Sequence, residues 1–151
     1  MRAVIPTALA AAIGLSACAT PVEPKPGGPV TGANGDDCAV IAAVMTQHYR
    51  FNTTDNRPPP LWLDDRETGW APRCDWSRYG LSFRTYDPKR QPAPGERIQW
   101  VSFKQPTYDG RGAMVETGIM HGPLAGMGHE CRVISGFAGW TLGECTATWI
   151  S

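Results

Sequence analysis

Four cysteines beyond residue 35 are the strongest constraint on the fold of this chain. They are Cys38, Cys74, Cys131 and Cys145. Four cysteines allow three pairings into two disulfides, whereas a zinc site would need short paired spacings that this arrangement lacks. Residues 36–151 number 116, enough for one domain with a modest core that two cross-links would stabilise.

The N-terminus bears on whether such disulfides can form, because they persist mainly in oxidising compartments. Arg2 is followed by a run of mostly apolar residues, 3–15. As a helix this run would reach about 20 Å, which is short of the roughly 30 Å hydrocarbon core of a bilayer. The run is therefore expected to be the apolar region of a secretory signal and not a membrane span.

The signal region ends in Leu15-Ser16-Ala17-Cys18, which resembles the lipobox of bacterial lipoproteins. The resemblance implies that cleavage leaves Cys18 as a diacylglyceryl-modified N-terminus, so that the membrane is a partner through a lipid anchor. Ala19, in place of an aspartate, implies the outer membrane, with the protein facing the periplasm. The alternative is a plain signal peptide cut elsewhere, with Cys18 incidental.

The residues after the lipobox are expected to form a tether. Residues 19–34 contain four prolines and three glycines, and such a stretch cannot bury enough apolar surface to offset its ordering entropy. The chain therefore divides into a signal, 1–18, a tether, 19–35, and a single globular domain, 36–151. Without the signal the chain has 13 Lys and Arg against 14 Asp and Glu, so no nucleic acid partner is expected.

Hydrophobic periodicity predicts one helix followed by strands. Asp36 or Asp37 would cap a helix at residues 38–49, in which Ile41, Val44, Met45 and His48 share a face. From Leu81 onward the period changes to two, and residues 122–128 form a glycine-rich connection. The expected strands are residues 81–86, 98–103, 113–121, 129–135 and 140–150. The predicted fold is α+β, with one N-terminal helix packed on a disulfide-stapled antiparallel meander of about five strands.

The last predicted hairpin suggests the disulfide pairing. A three-residue loop at residues 137–139 sets a register in which opposite residue numbers sum to 276. This register places Ile134 opposite Leu142, Arg132 opposite Glu144, and Cys131 opposite Cys145, close enough for a disulfide. Cys38 and Cys74 are then left to form the second bridge.

Tryptophans are unusually frequent between residues 61 and 80, where Trp62, Trp70 and Trp76 lie near Tyr79. Exposed tryptophans could stack on the faces of sugars, which a cell-envelope protein meets constantly. The alternative is that these rings fill the core of a small domain, where large aromatic side chains dominate the packing.

Other candidate chemical groups are incomplete as catalytic or metal sites. His121 and His129 flank the glycine-rich connection and would lie at the mouth of a hairpin, but two histidines alone do not complete a metal site. His48 is expected to be a core or edge histidine. The carboxylates of Asp64, Asp65 and Glu67 have the pattern of a solvated turn. No metal, cofactor or catalytic residue is therefore predicted.

The segment 106–151 resembles uncharacterised small exported bacterial proteins. The shared features are a strand after Asp109-Gly110, the loop Gly122-Pro123-Leu124, Trp140, and the terminal Trp149-Ile150-Ser151. This resemblance implies structural features but no catalytic residue. The resulting hypothesis is a lipid-anchored envelope protein with a small non-catalytic binding or structural domain, whose partner is peptidoglycan or an envelope protein. The alternatives are a glycan-binding or glycan-hydrolase-inhibiting module that uses the tryptophans, and, third, an envelope hydrolase.

Overall fold

The computed structural model describes residues 36–63 and 69–151, which form one helix and a six-stranded sheet. The predicted α+β class with two disulfides is confirmed. The lipobox with Cys18, the tether and the carboxylates of residues 64–67 lie outside the described residues. None of the helices in the described part is both long and apolar enough to span a bilayer.

The helix, α1, spans Asp36–Gln47, and a short 3₁₀ helix spans Trp76–Tyr79. The strands are β1 (Leu61–Leu63), β2 (Trp100–Phe103), β3 (Thr107–Asp109), β4 (Gly112–Gly122), β5 (Ala125–Gly136) and β6 (Gly139–Ile150). In the sheet they follow the order β1-β2-β4-β5-β6, and β3 pairs with β4. All pairs are antiparallel except β1 with β2, so the predicted antiparallel meander is correct only for the later strands.

Helix α1 is buried more completely than a one-sided helix would be. Every residue from Val40 to Met45 is buried, because the sheet covers one side and the segment that carries Trp70 and Leu81 covers the other. Asp37 is not a cap, because it lies in the first turn with a fully buried side chain.

The C-terminal end of α1 is closed by a residue in the left-handed region. Arg50 has φ 57°, and the backbone N–H of Phe51 reaches back to the carbonyl of Met45 at 3.0 Å. This geometry is the usual place of a glycine, which has no Cβ to oppose a positive φ. The turn directs Phe51 into the core, where its ring stacks on Tyr49.

The strand predicted at residues 81–86 is wrong. The side chains alternate in burial only from Leu81 to Arg84, since Thr85 is exposed, and in the described residues the backbone makes a single parallel bridge, from Thr85 to Leu61. The period of two reflects an extended segment packed beside β1, of which Leu61–Leu63 are described.

The glycine-rich connection predicted at residues 122–128 is mostly strand. Gly122 pairs with Ala125, so the turn is reduced to Pro123 and Leu124. Gly126 and Gly128 lie inside β5, where their lack of a side chain makes room for a neighbouring ring and does not serve the turn.

The last hairpin has a shorter turn than predicted and an irregular register. Gly136 pairs with Gly139, and Leu142 lies opposite Val133 instead of Ile134. A bulge with one extra residue in β6 then restores the pairing of Cys131 with Cys145. Arg132 does not pair with Glu144, because its guanidinium binds Asp109 at 2.7 Å.

Both expected disulfides are present. Cys38 and Cys74 join α1 to the segment before the 3₁₀ helix, and Cys131 and Cys145 join β5 to β6 with their Cα atoms 4.1 Å apart. On the loop-entropy model the two bridges stabilise the domain by about 4 and about 3 kcal/mol, the larger value belonging to the longer loop.

Candidate functional site

The sheet has one face covered by α1 and one face open to solvent. On the covered face lie Val101, Val115 and Cys131, all fully buried. Trp62 and Trp100 alternate with such core residues along β1 and β2, so their side chains project from the opposite, outer face. Both tryptophans are half-buried, so aromatic surface remains partly accessible on the outer face.

Three aromatic rings pack together at the β1 end of the outer face. The ring of Trp62 lies 5.8 Å from that of Trp100, edge to face, and 5.6 Å from that of Tyr86. Tyr86 and Trp100 are 6.1 Å apart, so each ring contacts the other two. All three side chains are half-buried, which leaves part of each ring accessible.

A fourth ring, that of Trp149 from β6, lies flat on the same face over three neighbouring glycines of β4 and β5. A Cβ on Gly128 would lie 1.9 Å from its Nε1, and a Cβ on Gly126 or Gly118 would lie about 3 Å from its six-membered ring. An indole that approaches three sheet positions at once must lie across the strands. Its other surface is free, since Trp149 remains 41% exposed.

Gly118 also connects this ring to the cluster, because a Cβ there would contact Trp100 at 3.7 Å. The four rings of Trp62, Tyr86, Trp100 and Trp149 are called the aromatic face below. They come from β1, the segment after it, β2 and β6, so the whole width of the sheet contributes to one surface.

A bulge in β6 gives Trp149 this orientation. Ala147 lies opposite His129 and Trp149 lies opposite Gly128, so Thr148 is an extra residue between them. Without an extra residue, positions 147 and 149 would share a face of the sheet. The bulge places them on opposite faces.

A cavity of about 180 Å³ adjoins the aromatic face at Tyr86. Its wall includes three guanidinium groups, of Arg84, Arg90 and Arg97, and two carboxylates, of Asp87 and Glu96. Both carboxylate oxygens of Glu96 accept hydrogen bonds from the guanidinium of Arg90 at 2.8 Å. The backbone N–H of Ala93 also donates to this carboxylate, and this bond, followed by those from Arg90, lowers the pKa of Glu96. Three guanidinium groups against two carboxylates leave an excess of one positive charge, which favours an anionic group in the cavity.

The predicted tryptophan group is divided by the fold. Trp62 belongs to the aromatic face, but Trp70 is a core residue whose Nε1 donates to the buried carboxylate of Asp37 at 2.8 Å. Trp76 packs against Phe83, with ring centroids 5.9 Å apart, beside Tyr79. Trp70 and Trp76 therefore follow the core alternative, and only Trp62 lies with Trp100 and Trp149.

The predicted histidine pair is also divided. His129 lies opposite Thr117, whereas His121 is exposed in an irregular step of β4 beside the turn. The ring that meets His129 is His48, at the end of α1, with centroids 4.7 Å apart. Burial of its ring, followed by the charge on His129, lowers the pKa of His48 below 6.5.

The two histidines lie beside the disulfide of β5 and β6. The ring nitrogen of His48 and the sulfurs of Cys131 and Cys145 are all within 4.8 Å of one another. Nδ1 of His129 is buried and has no hydrogen-bond partner in the described residues. An unpaired buried nitrogen is costly, and in a native fold it calls for an explanation.

Trp100, Trp149 and Tyr86 are not among the candidate site residues that the sequence predicts. The signal that could have found Trp149 is the pair Gly126 and Gly128, since glycine inside a strand often marks the close approach of another group. No protein-family model matches the chain, and neither the curated proteins nor the solved structures contain a match.

Proposed function

We propose that the chain is a lipid-anchored protein of the outer membrane whose domain binds the glycan strands of peptidoglycan on the aromatic face. The observation that carries the proposal is the Trp149 indole, which lies flat over Gly126 and Gly128 with its other surface exposed. A fixed, flat aromatic ring presents a surface on which the apolar C–H face of a sugar ring can stack.

The extent of the face supports a chain of sugars over a single one. Trp149 and the group of Trp62, Tyr86 and Trp100 lie on either side of Gly118, whose missing side chain keeps the surface between them low. A ligand with several successive sugar rings could contact both parts at once. The two contacts together would fix the direction in which the ligand lies on the surface.

The arginine-lined cavity favours a glycan that carries carboxylates. Arg84 and Arg97 line it beside Tyr86, and guanidinium groups bind carboxylates through paired, charge-assisted hydrogen bonds. Peptidoglycan has carboxylates on its peptides, and on alternate sugars wherever the peptide is absent, whereas chitin oligomers have none. We therefore expect a preference for peptidoglycan fragments.

The envelope location rests on the sequence and on the cross-links. The two disulfides suit an exported protein, because thiols in the cytosol of most organisms are kept reduced. The lipobox at Cys18 supplies the anchor, and a tether of residues 19–35 would reach roughly 50 Å when extended. This reach would allow the domain to meet a polymer that lies away from the membrane surface.

The domain is expected to bind glycan without cleaving it. Among the described residues the fully buried carboxylate is that of Asp37, which lies on the helix side of the sheet and is engaged by Trp70 and Tyr108. The Asp37 carboxylate lies on the opposite side of the sheet from the aromatic face and already accepts two hydrogen bonds. A hydrolase, or an inhibitor that binds a hydrolase, remains an outcome that the experiment below would reveal.

The test is co-sedimentation of the full-length protein in detergent with purified insoluble peptidoglycan, together with calorimetric titration of soluble muropeptides. Gly128→Ala should weaken binding at least about tenfold, because the new Cβ displaces the Trp149 ring without removing it. Trp149→Ala should give a similar loss. Gly122→Ala, in β4 with no heavy atom within 4 Å of its new Cβ, is the matched control and should bind normally.

Three results would contradict the proposal: no sedimentation of the unchanged protein, equal binding by Gly128→Ala and Gly122→Ala, or release of soluble sugar from the polymer. The anchor is tested separately by incorporation of labelled palmitate, which should occur in the original chain and be lost in Cys18→Ser. If no label is incorporated, the lipid anchor is disproved. Glycan binding by the aromatic face would still be decided by the first experiment.

A further inference from the structure

The covered side of the sheet holds a second group of residues, separate from the aromatic face. Three potential metal ligands meet there: His48 from the end of α1, Cys131 from β5 and Cys145 from β6. A fourth, His129 of β5, packs its ring against that of His48, with centroids 4.7 Å apart. The two sulfurs form a disulfide, and neither binds a metal in that state.

We propose that reduction of the Cys131–Cys145 disulfide opens a tetrahedral Zn²⁺ site made of the two thiolates, His48 and His129. Two thiolates and two imidazoles are one of the common ligand sets of structural zinc. The same set suits Zn²⁺ better than the hard cations, which prefer oxygen ligands.

For three of the four ligands the geometry requires only small side-chain movements, whereas the His129 ring, which lies outside that group, has to turn toward them. A nitrogen of His48 and the two sulfurs already lie within 4.8 Å of one another. Zinc–sulfur bonds of about 2.3 Å would separate the sulfurs by roughly 3.7 Å in a tetrahedral site, which small side-chain rotations can provide. His129 and Cys131 are two apart on one strand, so both side chains project from the same face.

The unpaired nitrogen of His129 is the independent observation that points to a ligand. Its Nδ1 is shielded from water and receives no hydrogen bond in the described part of the chain. A bound cation would satisfy this atom. His48, His129 and Cys145 are each half-buried, so an ion could reach the site although Cys131 is fully buried.

A dithiol reductant transfers two electrons and two protons to the disulfide, giving two thiols and becoming a disulfide itself. Binding of Zn²⁺ then displaces the thiol protons to the solvent, and the imidazoles bind in their neutral form. In the test, a phosphine takes the place of the dithiol and is oxidised to its oxide with oxygen from water.

The experiment is titration of the full-length, phosphine-reduced protein in detergent with Co²⁺ and then Zn²⁺. Co²⁺ should give a thiolate-to-cobalt charge-transfer band and tetrahedral visible bands, and one equivalent of Zn²⁺ should remove both. The oxidised protein should give neither band. Reduced protein that gives no charge-transfer band would overturn the proposal, whether or not the reduced chain stays folded.

Variants assign the ligands. Cys38→Ser/Cys74→Ser should keep the charge-transfer band, and Cys131→Ser/Cys145→Ser should lose it. His48→Gln and His129→Gln should each weaken Co²⁺ binding by at least about tenfold, whereas His121→Gln, the exposed control, should bind normally. A band that persists in Cys131→Ser/Cys145→Ser, or histidine variants indistinguishable from His121→Gln, would disprove the assignment.

Discussion

The indole Nε1 of Trp70 donates a hydrogen bond to the carboxylate of Asp37 at 2.8 Å, inside the core. The hydroxyl of Tyr108, from β3, donates to the other oxygen of the same carboxylate at 2.5 Å. One buried side chain of α1 is thereby bound both to the segment that covers the helix and to the sheet beneath it. Three parts of the fold are joined at this point.

Replacement of Asp37 should therefore destabilise the domain. Asp37→Asn keeps the size but replaces one acceptor oxygen with an N–H₂ group, which the Trp70 N–H cannot accept and which the Tyr108 hydroxyl can accept only by giving up its own donation, so we expect a cost of about 1–3 kcal/mol. Chemical denaturation would measure the loss. Asp36→Asn, at the exposed neighbouring position, is the control and should change stability by less than about 0.5 kcal/mol. Equal effects of the two variants would contradict the role given to the network.

The same network predicts loss of stability in alkali. Burial, followed by the hydrogen bond to Asp37, raises the pKa of Tyr108 far above its ordinary value of 10.0. Above pH 10 the unfolded chain loses the phenol proton while the folded chain keeps it, so the free energy of unfolding must fall as pH rises. Below pH 10 both states keep the proton and this dependence vanishes.

Denaturation at several pH values between 8 and 11 would measure this effect. Tyr108→Phe should be less stable at neutral pH, through the lost hydrogen bond, but should show a weaker decline above pH 10. Tyr86→Phe, on the other side of the sheet, should retain the full decline. A Tyr108→Phe variant with an unchanged pH profile would rule out this tyrosine as the source.

Gln47 protects part of the open edge of the sheet. Its side-chain oxygen accepts from the backbone N–H of Leu142 at 2.8 Å, and its N–H₂ donates to the carbonyl of Trp140 at 3.4 Å. The amide thus takes the place of a neighbouring strand beside β6. Gln47→Ala should cost about 1 kcal/mol and speed hydrogen exchange at the Leu142 amide. Gln99→Ala, which removes only a long contact to His121, should leave that amide protected.

The end of α1 offers a stabilising substitution. Arg50 has a positive φ, and glycine adopts that conformation without the steric cost that a Cβ imposes. Arg50→Gly should therefore raise the free energy of unfolding by about 0.5–1 kcal/mol, despite the greater freedom of glycine in the unfolded chain. Arg57→Gly, in an exposed segment without a positive φ, should be neutral or destabilising. A destabilising Arg50→Gly would show that the arginine side chain itself contributes at this position.

Local patterns in the sequence predicted the helix, the class and both disulfides. The pairing of Cys131 with Cys145 was expected from a regular three-residue turn, yet it arises from a two-residue turn followed by a bulge. The predicted turn is one residue too long, and the predicted strand lacks the extra residue of the bulge. These two errors cancel at the cysteines but not at Ile134 and Leu142. Sequence patterns describe regular ladders well, whereas a bulge has no clear signature because any residue can be the extra one.

The candidate site could be predicted only in part, because it depends on contacts between distant segments. Proximity in sequence suggested Trp62, Trp70 and Trp76 as a group, yet the rings that accompany Trp62 come from Tyr86 and β2. His48 and His129 meet because α1 crosses the sheet at β5, which no local period reveals. The sequence shows which residue types are present, but which of them lie together depends on the fold.

Thr148, the extra residue near the end of β6, determines on which side of the sheet the strand presents Trp149. If the regular pairing of Ala147 with His129 continued without a bulge, residue 149 would lie opposite Met127 and its side chain would turn toward the covered side. Removal of Thr148 would instead place the tryptophan directly after Ala147, still opposite Gly128 and on the outer face. The platform for a ligand therefore depends on the register of the last residues of one strand, because the same residues paired without the bulge would leave bare glycines where a ring lies.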